Sequence, residues 1–435
     1  MIIEFSVGNF RSFKEIQTLH LQAAKIKSKY PFVDQNNVFA PNSKYDLLKS
    51  KIIYGANASG KSNLIRGFTY MMRIIINSFK DEEVIGHLIE PFRLSTESIN
   101  EPTFFQICFL LDDIPYRYGM QLKDGKVVNE WLFGTPNKKE VYFFIREGMS
   151  IKVNENQFKE ALKIIPDSDD DIPIYGESTL FLTIAAASKR PLAQKIVNYF
   201  NDDIGVFSGL NDTAMINVAM NELNNPKFKT QLIDLLQNIG MEINSIERVE
   251  MKLDELPDDL KEVFNTRKDK PAFIEITKKV FQVDGKEVNS AKFGLNTHEA
   301  EGTKKMIALA PFIFAALRKG QVIIIDEFDA RLHPRLSRKI IELFNSNETN
   351  PNNAQLIVVS HDTNLMDAQL FRRDQISFVE KDKFGAAQLY SLVEYKGIRN
   401  NSSFEKDYLK GKYGAVPFLN AVDNLFTTSN APNNA

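Results

Sequence analysis

The sequence predicts an α/β fold: a largely parallel sheet assembled from both ends of the chain, with a β-rich lobe and a helical insertion between them. Three observations carry this. The stretch KIIYGANASGKSNLIRGFTYMMRIII reads as a buried strand, a Gly-bearing turn and an amphipathic helix. From Ala291 onward helix and strand alternate (TKKMIALAPFIFAALRKG, QVIIID, RLSRKIIELF, QLIVVS), as in parallel βαβ units. Between these two ends the texture changes, first to short alternating runs and then to longer amphipathic ones.

In chain order, IIEFSVGNFRSF and QTLHLQA alternate and are rich in β-branched and aromatic residues, so two strands open the protein. Leu64, Ile65, Phe68, Met71, Met72, Ile75 and Ile76 then recur at helical spacing and give the first long helix one apolar face. From about Glu90 to Phe144, the runs FFQICFLL, YRYGMQL, EWLF and VYFFI are separated by DD, KDGK and TPNKK, which are hairpin signals. LAQKIVNYF and FKTQLIDLLQNIG follow as helices, broken by the acidic loops DSDDDIP and LDELPDDL, without sustained heptads. In the last α/β portion Pro311 is expected to kink its helix. The polar tail TTSNAPNNA has nothing to bury. The divisions expected are 1–90 and 291–435 for the two parts of the core, 91–149 for the β-rich lobe and 150–290 for a mainly helical insertion. A chain of 435 residues exceeds one usual core, so two or three lobes follow.

Composition sets outer limits. Hydrophobic residues at 43% and charged residues at 25% are ordinary for a folded soluble protein. A net charge of −2 gives no whole-molecule attraction to nucleic acid, although a local basic groove stays open. Cys108 is the only cysteine, which excludes an intramolecular disulfide and a thiolate cluster. The N-terminus lacks a charged leader with an apolar core, and no apolar run spans a bilayer. A cytoplasmic protein without membrane contact is expected.

The chemistry concentrates at four points. Gly55-Ala-Asn-Ala-Ser-Gly-Lys61-Ser62 fits GxxxxGK[ST] between a strand and a helix, where backbone N–H groups and the helix dipole cradle phosphate. ATP is the expected ligand, held by Gly55, Ala56, Asn57, Ala58, Ser59, Gly60, Lys61, Ser62 and Asn63. Lys61 reaches the β and γ phosphates, and Ser62 ligates Mg²⁺. Val322-Ile-Ile-Ile-Asp326-Glu327 is an apolar strand ending in two acids, a Walker B arrangement: Asp326 for the Mg²⁺ shell, Glu327 as base toward the attacking water. His361 ends the next apolar strand, LIVVS, as a sensor of the terminal phosphate. Glu301, Gly302 and Thr303 open the helix ahead of the Walker B strand, where a plain helix cap is the competing explanation.

The order of these features (NFRSF, phosphate loop, long insertion, EAEGTKK, VIIIDEFDARLHP, VVSHD) resembles the ABC-type ATPases of the RecF, SMC and OLD branch. Arg372-Arg-Asp-Gln-Ile376 and Tyr408 to Pro417 are similar to C-terminal landmarks of bacterial AAA-family ATP-binding proteins. The resemblance implies an ABC-type P-loop core. It adds Arg11 to the nucleotide contacts, makes Ala330 to Pro334 a D-loop, and makes Glu301, Gly302 and Thr303 a signature motif closing over ATP held by a second protomer. A homodimer or higher homo-oligomer with ATP at its interfaces follows. Ala300 stands where many relatives carry the signature serine. Losing one hydrogen bond to a charged group, ~1.5 to 3 kcal/mol, implies a slow ATPase. Gln106 is the only candidate offered for the Q-loop. Such ATPases are often encoded beside an effector in phage-defence modules of the Rlo/AbiL or PARIS kind, which implies a separately encoded effector partner. A RecF- or SMC-like DNA clamp is the alternative; it lacks coiled-coil arms and a zinc hook here. An OLD-type nuclease would need an acidic metal cluster after VVSHD, and none is identifiable.

Overall fold

The computed structural model describes residues 1–165, 176–252, 254, 261, 271–398 and 402–417. DSDDDIP, most of LDELPDDL and the tail TTSNAPNNA lie outside the described residues.

The sheet assembled from both chain ends runs Ile204–Ser208, Val322–Asp326, Gln355–Val359, Ser50–Tyr54, Ile376–Lys381 and Ala387–Ser391 in spatial order. Its first five strands are parallel and the last is antiparallel. Both faces are covered, which is why its strands read as unbroken apolar runs. Ile53, Val322, Ile324, Ile357 and Val359 enter one core, while Ile52, Tyr54, Ile323, Ile325, Leu356 and Val358 enter the other. The first core contains the helices Lys61–Asn77, Phe181–Ala187 and Pro191–Asp202; the second contains Thr213–Glu222, Pro226–Asn238, Glu301–Lys319 and Pro334–Asn345.

An antiparallel sheet of seven strands packs over the first helix layer. Its order is Ser150–Val153, Val141–Glu147, Lys126–Gly134, Ile114–Lys123, Thr103–Leu111, Ile2–Gly8 and Gln17–His20. Phe5 and Val7 pair with Ile107 and Phe105, and all four bury into the same core as Phe68 and Met71 of the Lys61–Asn77 helix. The two opening strands therefore belong to the β-rich layer, so a division at residue 90 cuts through a sheet. Non-local pairing between residues ~100 apart is invisible to any local pattern.

The segment 150–290 also departs from a mainly helical insertion. Ile204–Ser208 is an edge strand of the parallel sheet, and Ser245–Glu250, Ala272–Phe281 and Glu287–Gly294 form an antiparallel sheet of their own. IGVFS is too short to show a period, and it becomes a strand because Val322–Asp326 offers it a partner. Ala272–Phe281 carries a two-residue alternation at its start, with Ile274 and Ile276 buried. Pro311 does not interrupt its helix, which runs from Glu301 to Lys319 with Met306 through Pro311 all buried. Packing on every side of that turn holds the helix where propensity alone disfavours it. Gly320, at φ 72, closes it with its N–H on the Ala316 carbonyl.

Candidate nucleotide-binding site

The phosphate loop leaves the central strand Ser50–Tyr54 and enters the helix at Lys61. Gly60 precedes the helix at φ 117, and a Cβ there would lie 2.7 Å from Ser12 Oγ. A Cβ on Gly55 would lie 2.3 Å from the Val379 carbonyl oxygen, so the loop passes flush against the neighbouring strand. The helix start has no side-chain cap, which leaves its first N–H groups facing the loop for an anion. Asn63 Nδ2 donates to Ser12 Oγ (2.9 Å) and the Ala387 N–H donates to the Ser12 carbonyl (2.7 Å). The NFRSF turn thus buttresses the loop from below.

Lys61 is 5% exposed, and its Nζ donates to the carbonyls of Gly55 (2.7 Å) and Ala56 (2.9 Å). Desolvation lowers its pKa, against the pull of Asp326, Glu327 and Asp329. Parallel strands bring their carboxyl ends to one edge of the sheet, where open α/β sheets bind ligands. Gly55, Asp326, His361 and Lys381 follow or end four of those strands. Residues 57 to 63, Asp326, Glu327 and His361 all line one open cleft of about 420 Å³. Glu327 takes φ 52, with its N–H on Asp326 Oδ1 (3.1 Å). The His361 N–H donates to Asp329 Oδ1 (3.1 Å), and partial burial, then the Lys61 charge, hold the imidazole pKa below its ordinary value.

Ser62 and Asp326 place a hydroxyl and a carboxylate on the cleft, hard oxygen donors of the kind Mg²⁺ takes. Among the described residues no group of three or more His, Cys, Asp or Glu could hold a metal by itself. These residues fit a cation that completes its shell with phosphate oxygens and water.

The remaining expected contacts lie elsewhere. Arg11 does not line the cleft: it pairs with Glu90 (2.6 Å), meets Tyr70 Oη (3.4 Å) and lies over the Tyr70 ring. Glu301, Gly302 and Thr303 also stand outside it. Ala300 is the helix N-cap and offers no side-chain oxygen. Glu301 is exposed and bridges to Lys304 (2.8 Å) and Arg331 (3.2 Å), whereas Thr303 is buried within its own chain. Gln106 is corrected: it lies within the antiparallel sheet, accepting from Arg117 and Trp131 (3.3 Å each). Lys381 and Arg66 line the cleft without having been singled out. ISFVEK ends in a charge as VIIID does, and that parallel was the available signal for Lys381.

Among solved structures the chain is similar to an SMC head bound to the C-terminal winged-helix domain of ScpA, at 14% identity, covering 90% of this chain and 97% of that one, with a TM-score of 0.44. It is also similar to the SMC head domain from Thermotoga maritima, at 13% identity, 90% and 98% coverage and a TM-score of 0.40. A Pyrococcus furiosus SMC head with an extended coiled coil, bound to the C-terminal domain of ScpA, matches at 14% identity, 94% and 98% coverage and a TM-score of 0.40. No curated protein matches the chain. No helix among the described residues is long and apolar enough to cross a membrane. A family model matches residues 52–152 and 187–367, well over half of the chain, and these segments carry the phosphate loop, the Walker B strand and His361. The chain therefore belongs to the P-loop ATPase family described as "AAA domain, putative AbiEii toxin, Type IV TA system".

Proposed function

We propose that this protein binds ATP with Mg²⁺, hydrolyses it slowly, and uses ATP-dependent closure between copies of itself to control a separately encoded effector in anti-phage defence. The observation that carries the reading is the convergence of Lys61, Asp326, Glu327 and His361 on one cleft at the carboxyl edge of a parallel sheet. The Lys61 ammonium, resting on two loop carbonyls, exchanges them for the β and γ phosphates. Glu327 accepts the proton of the attacking water, and His361 reads the terminal phosphate. Ser62 and Asp326 would hold Mg²⁺, which would supply positive charge opposite the phosphoryl group as it transfers. Arg11 joins the nucleotide once it leaves Glu90. Glu301 and Gly302 of a second copy close the cleft, and Ala300 in place of a serine keeps turnover slow. The toxin–antitoxin association in the family description supports a partner encoded nearby.

Glu327→Gln tests this. The variant is expected to bind ATP as the wild type does, to hydrolyse it at least a hundredfold more slowly and to accumulate a larger ATP-bound species on size exclusion. Wild-type turnover would assign Glu327 to structure. Co-purification of the trapped form with adjacent gene products tests the effector: tight ATP-dependent DNA binding with no protein retained would replace the scaffold by a DNA clamp.

A further inference from the structure

Glu327 adopts a backbone conformation that a non-glycine residue holds only when its surroundings impose it. Four residues later Arg331 does so again, at φ 65. The segment between them thus starts and ends in the left-handed region, and a single turn, Gly209 to Asp212, presses on both ends. The Gly209 N–H donates to the Asp326 carbonyl (2.7 Å), and a Cβ on Gly209 would lie 1.9 Å from the Glu327 carbonyl oxygen. Asp212 pairs with Arg331 at 3.3 Å.

What holds this turn is one fully buried cation. Lys305 Nζ donates to the Gly209 carbonyl (2.6 Å) and to Asp212 Oδ1 (2.8 Å). Lys305 is 0% exposed, and Asp212 is nearly as enclosed. A lysine is rarely buried so completely without a task, because desolvating its charge is costly unless good geometry repays it. Neither residue lines the nucleotide cleft. We infer that Lys305 is a positioning residue for Glu327: with Asp212 it clamps the Gly209 turn against the Asp326–Glu327 peptide and so fixes the direction of the general base. The inference rests on the assignment of Glu327 as that base.

Removing Lys305 alone leaves the buried Asp212 carboxylate with only the more distant, partly exposed Arg331, so the test uses Lys305→Met together with Asp212→Leu, which replaces the buried ion pair by apolar groups. Asp212 supplies no side-chain cap to the helix that follows it, so no cap is lost. The double variant is expected to keep its melting temperature within a few degrees and its KM for ATP within twofold, while kcat falls at least tenfold. Amide hydrogen exchange at residues 328–331 should quicken at least tenfold, with residues 55–62 unchanged. Lys305→Arg should recover part of kcat. Should the double variant not fold, Gly209→Ala, which leaves the pair intact, is expected to show the same kcat loss and unchanged KM. Wild-type kcat or unchanged exchange at 328–331 in a folded variant overturns the inference. A wild type that binds ATP without hydrolysing it would instead remove the base assignment, while the exchange comparison still decides whether Lys305 holds Glu327.

Discussion

Lys61 shows how one side chain can be prepared for a ligand by its own loop. Its ammonium rests on the Gly55 and Ala56 carbonyls in a partly desolvated site, and its pKa is lowered by that desolvation first. Carbonyl dipoles satisfy a cation less well than a triphosphate does, so phosphate displaces them readily. Lys61→Ala is expected to lower ATP affinity at least a hundredfold by calorimetry, with little change in melting temperature. Unchanged affinity would mean that residues 55 to 62 are not the cradle. Much of this site was legible in the sequence, because GxxxxGK[ST] fixes backbone shape and charge together within eight residues. The pairing of Lys305 with Asp212 was not legible: Lys305 closes the EAEGTKK run, but Asp212 lies 93 positions upstream and outside any motif.

At the scale of the element, the central strand Ser50–Tyr54 carries a further buried lysine. Lys51 is 2% exposed, its Nζ donates to the Asp374 carbonyl (2.5 Å), and burial pushes its pKa down to about 8, against the opposing charges of Asp374 and Glu394. The sign follows from proton counting. Between about pH 8 and the ordinary lysine value near 10.4, the unfolded chain binds more protons at this residue than the folded one, so folding gains stability as pH rises. The stability of the wild type relative to Lys51→Met should therefore rise by about 2 to 3 kcal/mol between pH 7.5 and 10.5. Urea unfolding at the two pH values measures it, and a flat difference would show that Lys51 is not desolvated. The strand itself was predicted from its apolar run, but not the burial of Lys51 within it. Distant segments impose that burial: the Asp374 turn, which takes the ammonium, and the residues around Thr18, Gln22 and Tyr390 beside it.

For the whole molecule, the decisive feature is that the β-rich layer and the nucleotide core share one hydrophobic interior. Glu130, on the strand Lys126–Gly134, crosses that junction. It accepts from the Phe181 (2.6 Å) and Leu182 (3.0 Å) N–H groups at the start of the Phe181–Ala187 helix, and from Tyr118 Oη (2.8 Å). Arg146 stands 3.9 Å away, and both side chains are fully buried. Glu130→Ala leaves Arg146 without this counter-charge and the helix start without its acceptor, a loss of about 3 to 5 kcal/mol. Because the interior is continuous, calorimetry should show one unfolding transition moved to lower temperature, carrying the ATP-stabilised core with it. Separate transitions for the two layers would show that they are independent lobes. The sequence by itself determined the parallel α/β core, the phosphate loop, the acids after the Walker B strand and the histidine after the next one. Each of these is a local pattern in which periodicity and a few special residues dictate the chain's course. Only the tertiary structure decided that the first two strands join the β-rich sheet, that Ile204–Ser208 becomes an edge of the parallel one, and that a buried lysine stands behind Glu327. Those are contacts between distant segments, where the partner's hydrogen-bonding edge and the shared burial of apolar surface settle what local propensity leaves open.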